Sequence, residues 1–149
     1  MKTAKQIFGL MQGVWNFKRS VIHKAPMQES YEGAGYAVFS LLKEPENELK
    51  YHENVELNNL QTGIAIKGYK TYKYIYISKT AEIVKYFDDG NLFYKLNISG
   101  QDCVGDYLCA LDHYNATYNF NNDDNFSLRY EVKGPKKDYI LYTEYTRAI

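Results

Sequence analysis

The chain has 149 residues, with 18 Lys and Arg against 18 Asp and Glu, so its formal net charge is zero. A neutral balance supplies no surplus cation to neutralise phosphates, which argues against dedicated nucleic-acid binding and against a polybasic membrane anchor. Sixteen Tyr, seven Phe and one Trp make the chain 16% aromatic while Pro is held to three, and Tyr, a strand former with an apolar body and a polar tip, favours β structure with half-wet faces.

Thr3–Gln12 reads as the one helix, with Ile7, Leu10 and Met11 at spacings of three and four and Gly13 as its stop. Everything after it reads as strand. The expected strands are Gly13–Ile22, Gly35–Leu42, Glu48–Leu57, Ile66–Ser78, Ala81–Phe87, Leu92–Ile98, Cys103–Leu111, Tyr114–Phe120, Phe126–Lys133 and Tyr139–Arg147. Turn-like links separate them at Glu44-Pro45-Glu46-Asn47, Asp88-Asp89-Gly90-Asn91, Asn121–Asn125 and Gly134-Pro135-Lys136-Lys137-Asp138. Links this short favour antiparallel neighbours, since parallel ones need crossovers of about a dozen residues. The expectation is one all-β domain over residues 1–149, a roughly ten-stranded antiparallel up-and-down barrel with a short N-terminal helix, because closure removes both sheet edges.

Period-two alternation then sorts the faces. Trp15, Phe17, Arg19 and Val21 share one, and Leu49, Tyr51, Glu53, Val55 and Leu57 share another. Arg19 and Glu53 thus fall among apolar neighbours, where an ionised group must be paired or must meet something polar. The lining continues with Leu92, Tyr94, Leu96 and Ile98; with Tyr107, Cys109 and Leu111; with Tyr114, Ala116, Tyr118 and Phe120; and with Phe126, Leu128, Tyr130 and Val132. Each buried phenol requires a hydrogen-bond partner, so recurrent inward Tyr beside Arg and Glu points to a cavity wall rather than a dry core.

A helix followed by Gly13-Val14-Trp15 on the first strand, with Arg147 at the end of the last, resembles the calycin pattern of lipocalins and fatty-acid-binding proteins. That resemblance implies structural roles for Gly13, Trp15 and Arg147, with the basic side chain packed over the indole. A longer match runs through Leu10, Gly13, Trp15, Phe17 and Arg19; Tyr31–Gly35; Tyr51 and Glu53; Tyr72; Phe87, Asp89, Gly90 and Phe93; Cys109, Asp112 and Tyr114; and Gly134, Pro135, Lys137, Asp138, Tyr139, Thr143, Tyr145 and Arg147. On these residues the chain is similar to an uncharacterised lipocalin-like family, domain of unknown function 6314. The resemblance implies the barrel but no activity. Histidines often stand in that family where this chain has Tyr94 and Tyr107, a departure that weakens any haem or metal reading built on two imidazoles.

The expected ligand-binding set is Arg19, Tyr51, Glu53, Tyr94, Tyr107, Cys109, Tyr118 and Tyr130, with no catalytic residue, no metal and no cofactor. Arg19 either grips a ligand's carboxylate or phosphate or simply neutralises Glu53. Cys109 reads as a buried structural thiol, since Asp112, three residues on along one strand, would point to the other face. Cys103 and Cys109 would lie about 20 Å apart on one strand, beyond bridging reach, and free thiols fit a reducing compartment. His23, His52 and His113 show no metal spacing and read as surface residues. Gly134-Pro135-Lys136-Lys137-Asp138 reads as a turn, and no nucleotide-binding glycine motif occurs.

The function expected from these residues is binding of a hydrophobic or amphipathic small molecule with a polar or anionic head inside the barrel. A second reading is a lyase or isomerase on the same barrel, with Glu53 as acid or base and tyrosines as proton donors. A third is a protein-interaction module or homodimer docking through Tyr72, Tyr74 and Tyr76. No signal peptide pattern and no run of 18 apolar residues occurs, so a soluble cytoplasmic protein is expected, with signal-independent export leaving no trace in a sequence. Richness in Asn, Lys, Tyr and Ile fits an AT-rich bacterial genome.

Overall fold

Thr3 starts the helix by a reciprocal cap. Its hydroxyl accepts from the Gln6 N–H at 3.2 Å, and the Gln6 side chain accepts from the Thr3 N–H at 2.9 Å. In the computed structural model, which describes residues 2–42, 47–99 and 102–148, helix α1 runs Ala4–Met11. It buries Ala4, Ile7, Phe8 and Met11 across one end of the sheet, with Phe8 packed on Tyr76.

The strands are β1 (Gly13–Ala25), β2 (Glu29–Leu41), β3 (Glu48–Asn59), β4 (Ala65–Ile77), β5 (Glu82–Phe87), β6 (Leu92–Ser99), β7 (Asp102–Cys109), β8 (Asp112–Asn122), β9 (Asn125–Gly134) and β10 (Lys137–Arg147). Each pairs antiparallel with the next, and β10 returns to β1, so the sheet closes as a ten-stranded up-and-down barrel. Phe17 marks the closure, opposite Tyr145 of β10 on one side and Gly35 of β2 on the other. The expected turn at residues 44–47 lies, Asn47 apart, outside the described residues.

Three local departures from the expected pattern have physical causes. β2 starts at Glu29 rather than Gly35, running straight through Gly33 and Gly35. At these positions β2 presses so tightly on β3 that a Cβ would meet the Glu56 or Asn54 carbonyl, so the glycines mark a close approach and not a strand end. The β7–β8 turn is Ala110-Leu111, with Ala110 at φ +54°, so Cys109 faces Asp112 across the hairpin. The two therefore share a face, contrary to the single-strand argument; Cys109 is exposed rather than buried, and Leu111 is 76% exposed instead of lining the interior. On β6, Lys85 pairs with Tyr94 and Tyr86 with Leu92, leaving Phe93 as an extra residue. This bulge turns Phe93 and Tyr94 both inward and puts Leu92, expected inside, 47% in solvent.

The half of the barrel under α1 is filled by apolar side chains, among them Trp15, Phe39, Leu49, Ile83, Phe120 and Phe126. The other end is a mouth. Ladder pairing between β6 and β7 is confined to Asn97–Ser99 with Asp102–Val104, next to the covered end, so the seam between them is unzipped toward the mouth.

Candidate functional site

Between the apolar floor and the mouth, the inward positions of β1, β3 and β10 bring together a polar layer. Arg19 Nη1 and Nη2 meet the two Glu53 carboxylate oxygens at 2.7 and 2.9 Å, and Arg19 Nε donates to Thr143 Oγ1 at 2.8 Å. Tyr51 donates to Glu53 at 2.6 Å and shares a 2.9 Å hydrogen bond with Tyr145. Burial alone would raise the Glu53 carboxyl. The Arg19 fork, helped by Tyr51 and Lys85, instead holds it below its ordinary value, so Glu53 is a carboxylate and carries no proton to donate at neutral pH. Arg19 stays charged for the same reason: its partner more than offsets the lost hydration.

A second cluster lies beside it, and sequence reading missed its centre. Lys85 sits on the inner face of β5 between Ile83 and Phe87 and is 2% exposed. Its Nζ donates to Tyr130 Oη at 2.9 Å, lies 3.5 Å from Tyr118 Oη, and stands 4.0 Å from the centre of the Tyr72 ring. Tyr118 in turn bonds Tyr74 at 2.7 Å and Tyr94 at 2.5 Å, and Tyr94 reaches Tyr130 at 2.7 Å. Burial raises all four phenols well above their ordinary value, so they remain protonated donors. Room for this network comes from Gly105, where a Cβ would strike the Tyr94 ring. Tyr72, Tyr74 and Tyr76 therefore line the interior; their stripe is not an outward docking face.

Toward the mouth a vestibule of about 330 Å³ opens between aromatic walls that include Tyr72, Phe87, Phe93, Tyr107, Tyr114 and Tyr139. Phe87 and Phe93 stack at 4.3 Å with 17° between their planes, and Tyr107 meets both edge-on. Cys109 forms part of the same wall. Below lies a chamber of about 70 Å³ bounded by Arg19, Glu53, Lys85, Tyr51 and Tyr145. Lys70, Tyr72, Tyr130 and Leu141 border both spaces, so the two adjoin across a shared wall. A further groove of about 530 Å³ runs over Lys18, Ser20, Glu32, Tyr142 and Glu144, and of the site residues it touches only Arg19.

The expected site residues thus divide into three places. Arg19, Tyr51 and Glu53 form the ion-pair layer; Tyr94, Tyr118 and Tyr130 form the phenol network; Tyr107 and Cys109 flank the vestibule. Gly13, Trp15 and Arg147 lie at the covered end, where Arg147 stands 4.2 Å over the indole. Of the histidines, His23 is half-buried against Tyr139, His52 bonds Thr71 and His113 pairs with Asp106. Among the described residues no three His, Cys, Asp or Glu side chains converge as a metal set, and no helix is long and apolar enough to cross a membrane.

No curated protein matches the chain in sequence. Among solved structures, the S-type phycobiliprotein lyase of Guillardia theta superposes with a TM-score of 0.71 at 10% identity, covering 99% of this chain and 94% of the lyase. At that identity the likeness is one of fold, a lipocalin-like barrel. The sequence profile of DUF6314, a family of unknown function, matches residues 11–147, and the chain belongs to that family.

Proposed function

We propose that the protein binds a small amphipathic molecule inside the barrel, its hydrophobic or aromatic body in the vestibule and its polar or anionic head toward the chamber, without chemistry of its own. The observation that carries this reading is the adjacency of the two spaces: an aromatic outer one and a polar inner one that share Lys70, Tyr72, Tyr130 and Leu141. Burying the ligand's apolar surface against the vestibule supplies affinity at about 25 cal/mol per Å², and the polar layer sets orientation. Arg19, Tyr51, Glu53, Tyr94, Tyr107, Cys109, Tyr118 and Tyr130 belong to the walls of this path or to the network behind them.

A lyase-type role is the second reading, favoured by the likeness in fold to a phycobiliprotein lyase. Fold analogy is its whole support, and the paired, ionised Glu53 is a poor acid. In the proposed setting the chain acts as a single domain in a bacterial cytoplasm, with both thiols free.

Native mass spectrometry of the freshly purified protein, followed by denaturation and analysis of what is released, tests the reading. The expected result is a non-covalent adduct of defined mass. An apo mass together with no saturable binding of any apolar dye overturns it.

A further inference from the structure

Lys85 is placed inward by the period of β5, and a lysine there would ordinarily thread its four-carbon stem to water. Here it does not. Its amine is enclosed by the Tyr72 face and the Tyr118 and Tyr130 hydroxyls, and no carboxylate lies within ion-pair distance among the described residues. The one acid lining the chamber, Glu53, has both oxygens occupied by Arg19 and Tyr51. The chamber walls therefore carry Arg19, Lys70 and Lys85 against a single carboxylate. Phenol oxygens and ring faces stabilise a cation, but they supply no countercharge, and a buried ammonium without one is costly.

An anion entering the chamber supplies what is missing. An ammonium is a compact point charge that accepts a carboxylate, sulfonate or phosphate oxygen without demanding planar geometry. At about 70 Å³ against about 330 Å³ for the vestibule, the chamber is the smaller space and suits the compact head of a ligand. The body of the ligand then lies in the vestibule, where Phe87, Phe93 and Tyr107 offer flat faces and edges.

Resting on the proposed binding function, we infer that Lys85, rather than Arg19, is the anion-binding residue of the barrel, and that the ligand class is a monoanionic amphiphile with an aromatic or conjugated body. Two further features agree. Burial, reinforced by Arg19 and Lys70 and only partly opposed by Glu53, pushes the amine well below its ordinary range, so an anion beside it stabilises the charged form. Tyr130, the closest partner of Lys85, also borders the vestibule, so it stands where the head must pass.

The test uses two dyes of one ring skeleton: 8-anilinonaphthalene-1-sulfonate, which carries an anion, and N-phenyl-1-naphthylamine, which lacks it. The wild-type protein is expected to bind the sulfonate about tenfold or more tighter than the neutral dye, and Lys85→Met to lose about tenfold for the sulfonate alone. Bound sulfonate is also expected to slow alkylation of Cys109 on the vestibule wall. Equal affinities in the wild type, or unchanged sulfonate binding in Lys85→Met, overturn the assignment while leaving the cavity reading standing. If neither dye binds, this inference falls, and the cavity reading falls with it where the native mass is also apo. Should Lys85→Met not fold, the wild-type preference between the dyes and the Lys85→Gln variant decide the question by the same criteria.

Discussion

Arg19 and Glu53 meet in a two-armed ion pair, 2.7 and 2.9 Å between their nitrogens and oxygens, although β2 lies between the strands that carry them. Both are buried, so each charge depends on the other to offset its lost hydration. Removing one partner strands a charge: Arg19→Met or Glu53→Gln is expected to cost about 3–5 kcal/mol in urea unfolding. Replacing both with Met is expected to recover most of that loss. Single-variant losses under about 1 kcal/mol would show instead that water reaches and solvates the pair.

The interior amines and phenols set a characteristic dependence of stability on pH. Lys85 has a folded-state pKa well below its ordinary 10.5. Between those two values the unfolded chain holds a proton that the fold has released, so stability rises with pH through that window. Tyr51, Tyr74, Tyr94, Tyr118 and Tyr130 are raised well above 10.0, so stability falls once unfolded phenols ionise near pH 10.0. On the acid side the lowered Glu53 contributes stability that is lost as pH falls through 4.5 and below. Urea midpoints from about pH 6 to pH 10 check this: the wild type is expected to rise and then turn down, and Lys85→Met to lose only the rising limb. A variant that keeps the rise would place its origin elsewhere.

The two cysteines are expected to react at very different rates. Cys109 is exposed on the vestibule wall, whereas Cys103 is fully buried and its thiol is pushed up to about 12 by burial and then by Asp102. Since the thiolate is the reactive species, a disulfide reagent is expected to titrate one thiol in the folded protein and the second only on unfolding. Cys109→Ser removes the fast phase. Two equal rates would contradict this arrangement.

How much of this was legible in the sequence depends on what alternation can and cannot encode. Arg19 and Glu53 stand out because a charge at an apolar position violates the period, and their pairing follows from electrostatics. Lys85 violates the period equally, between Ile83 and Phe87, yet lysine is so often solvated that the same signal passes unnoticed. Phe93 and Tyr94 could not both be placed inward, because a bulge adds a residue that a strict period of two does not contain. Cys109 was misplaced for a related reason: the hairpin turn fell on Ala110-Leu111, two residues before the expected Asp112-His113, and Ala110 at φ +54° carries no compositional turn signature. Closure itself was legible, since ten consecutive antiparallel strands joined by nine links leave few other solutions.

Gly105 is predicted to be intolerant of the smallest side chain. It leaves space for the Tyr94 ring, and Tyr94 connects Tyr118 to Tyr130 in the network around Lys85. Gly105→Ala is expected to cost about 1–3 kcal/mol, the usual range for overpacking. Shortening the neighbour with Tyr94→Leu is expected to relieve the clash, so that the double variant is more stable than the sum of the two single losses implies. Simple additivity in this cycle would mean that the two side chains do not compete for the same space.

At the covered end, Arg147 does several things that no lysine can do together. Its guanidinium lies 4.2 Å over the Trp15 ring, donates to the carbonyls of Leu10 at 2.8 Å and Gln12 at 3.1 Å, and reaches the Asp123 carbonyl at 2.8 Å. Trp15 Nε1 donates to the Met11 carbonyl at 3.0 Å, so helix, first strand and last strand are joined through one planar cation. Gly13, at φ +129°, leaves room for it, since a Cβ there would lie 2.9 Å from Arg147 Nη1. Lysine keeps the charge but not the fork, so Arg147→Lys is expected to lower stability by about 1–2 kcal/mol and to speed amide exchange in α1. The site around Lys85 lies at the other side of the apolar floor, so affinity for the anionic dye is expected to be unchanged. A parallel loss of stability and dye affinity would mean that the helix end and the mouth are coupled, and that the floor is not the rigid partition its packing describes.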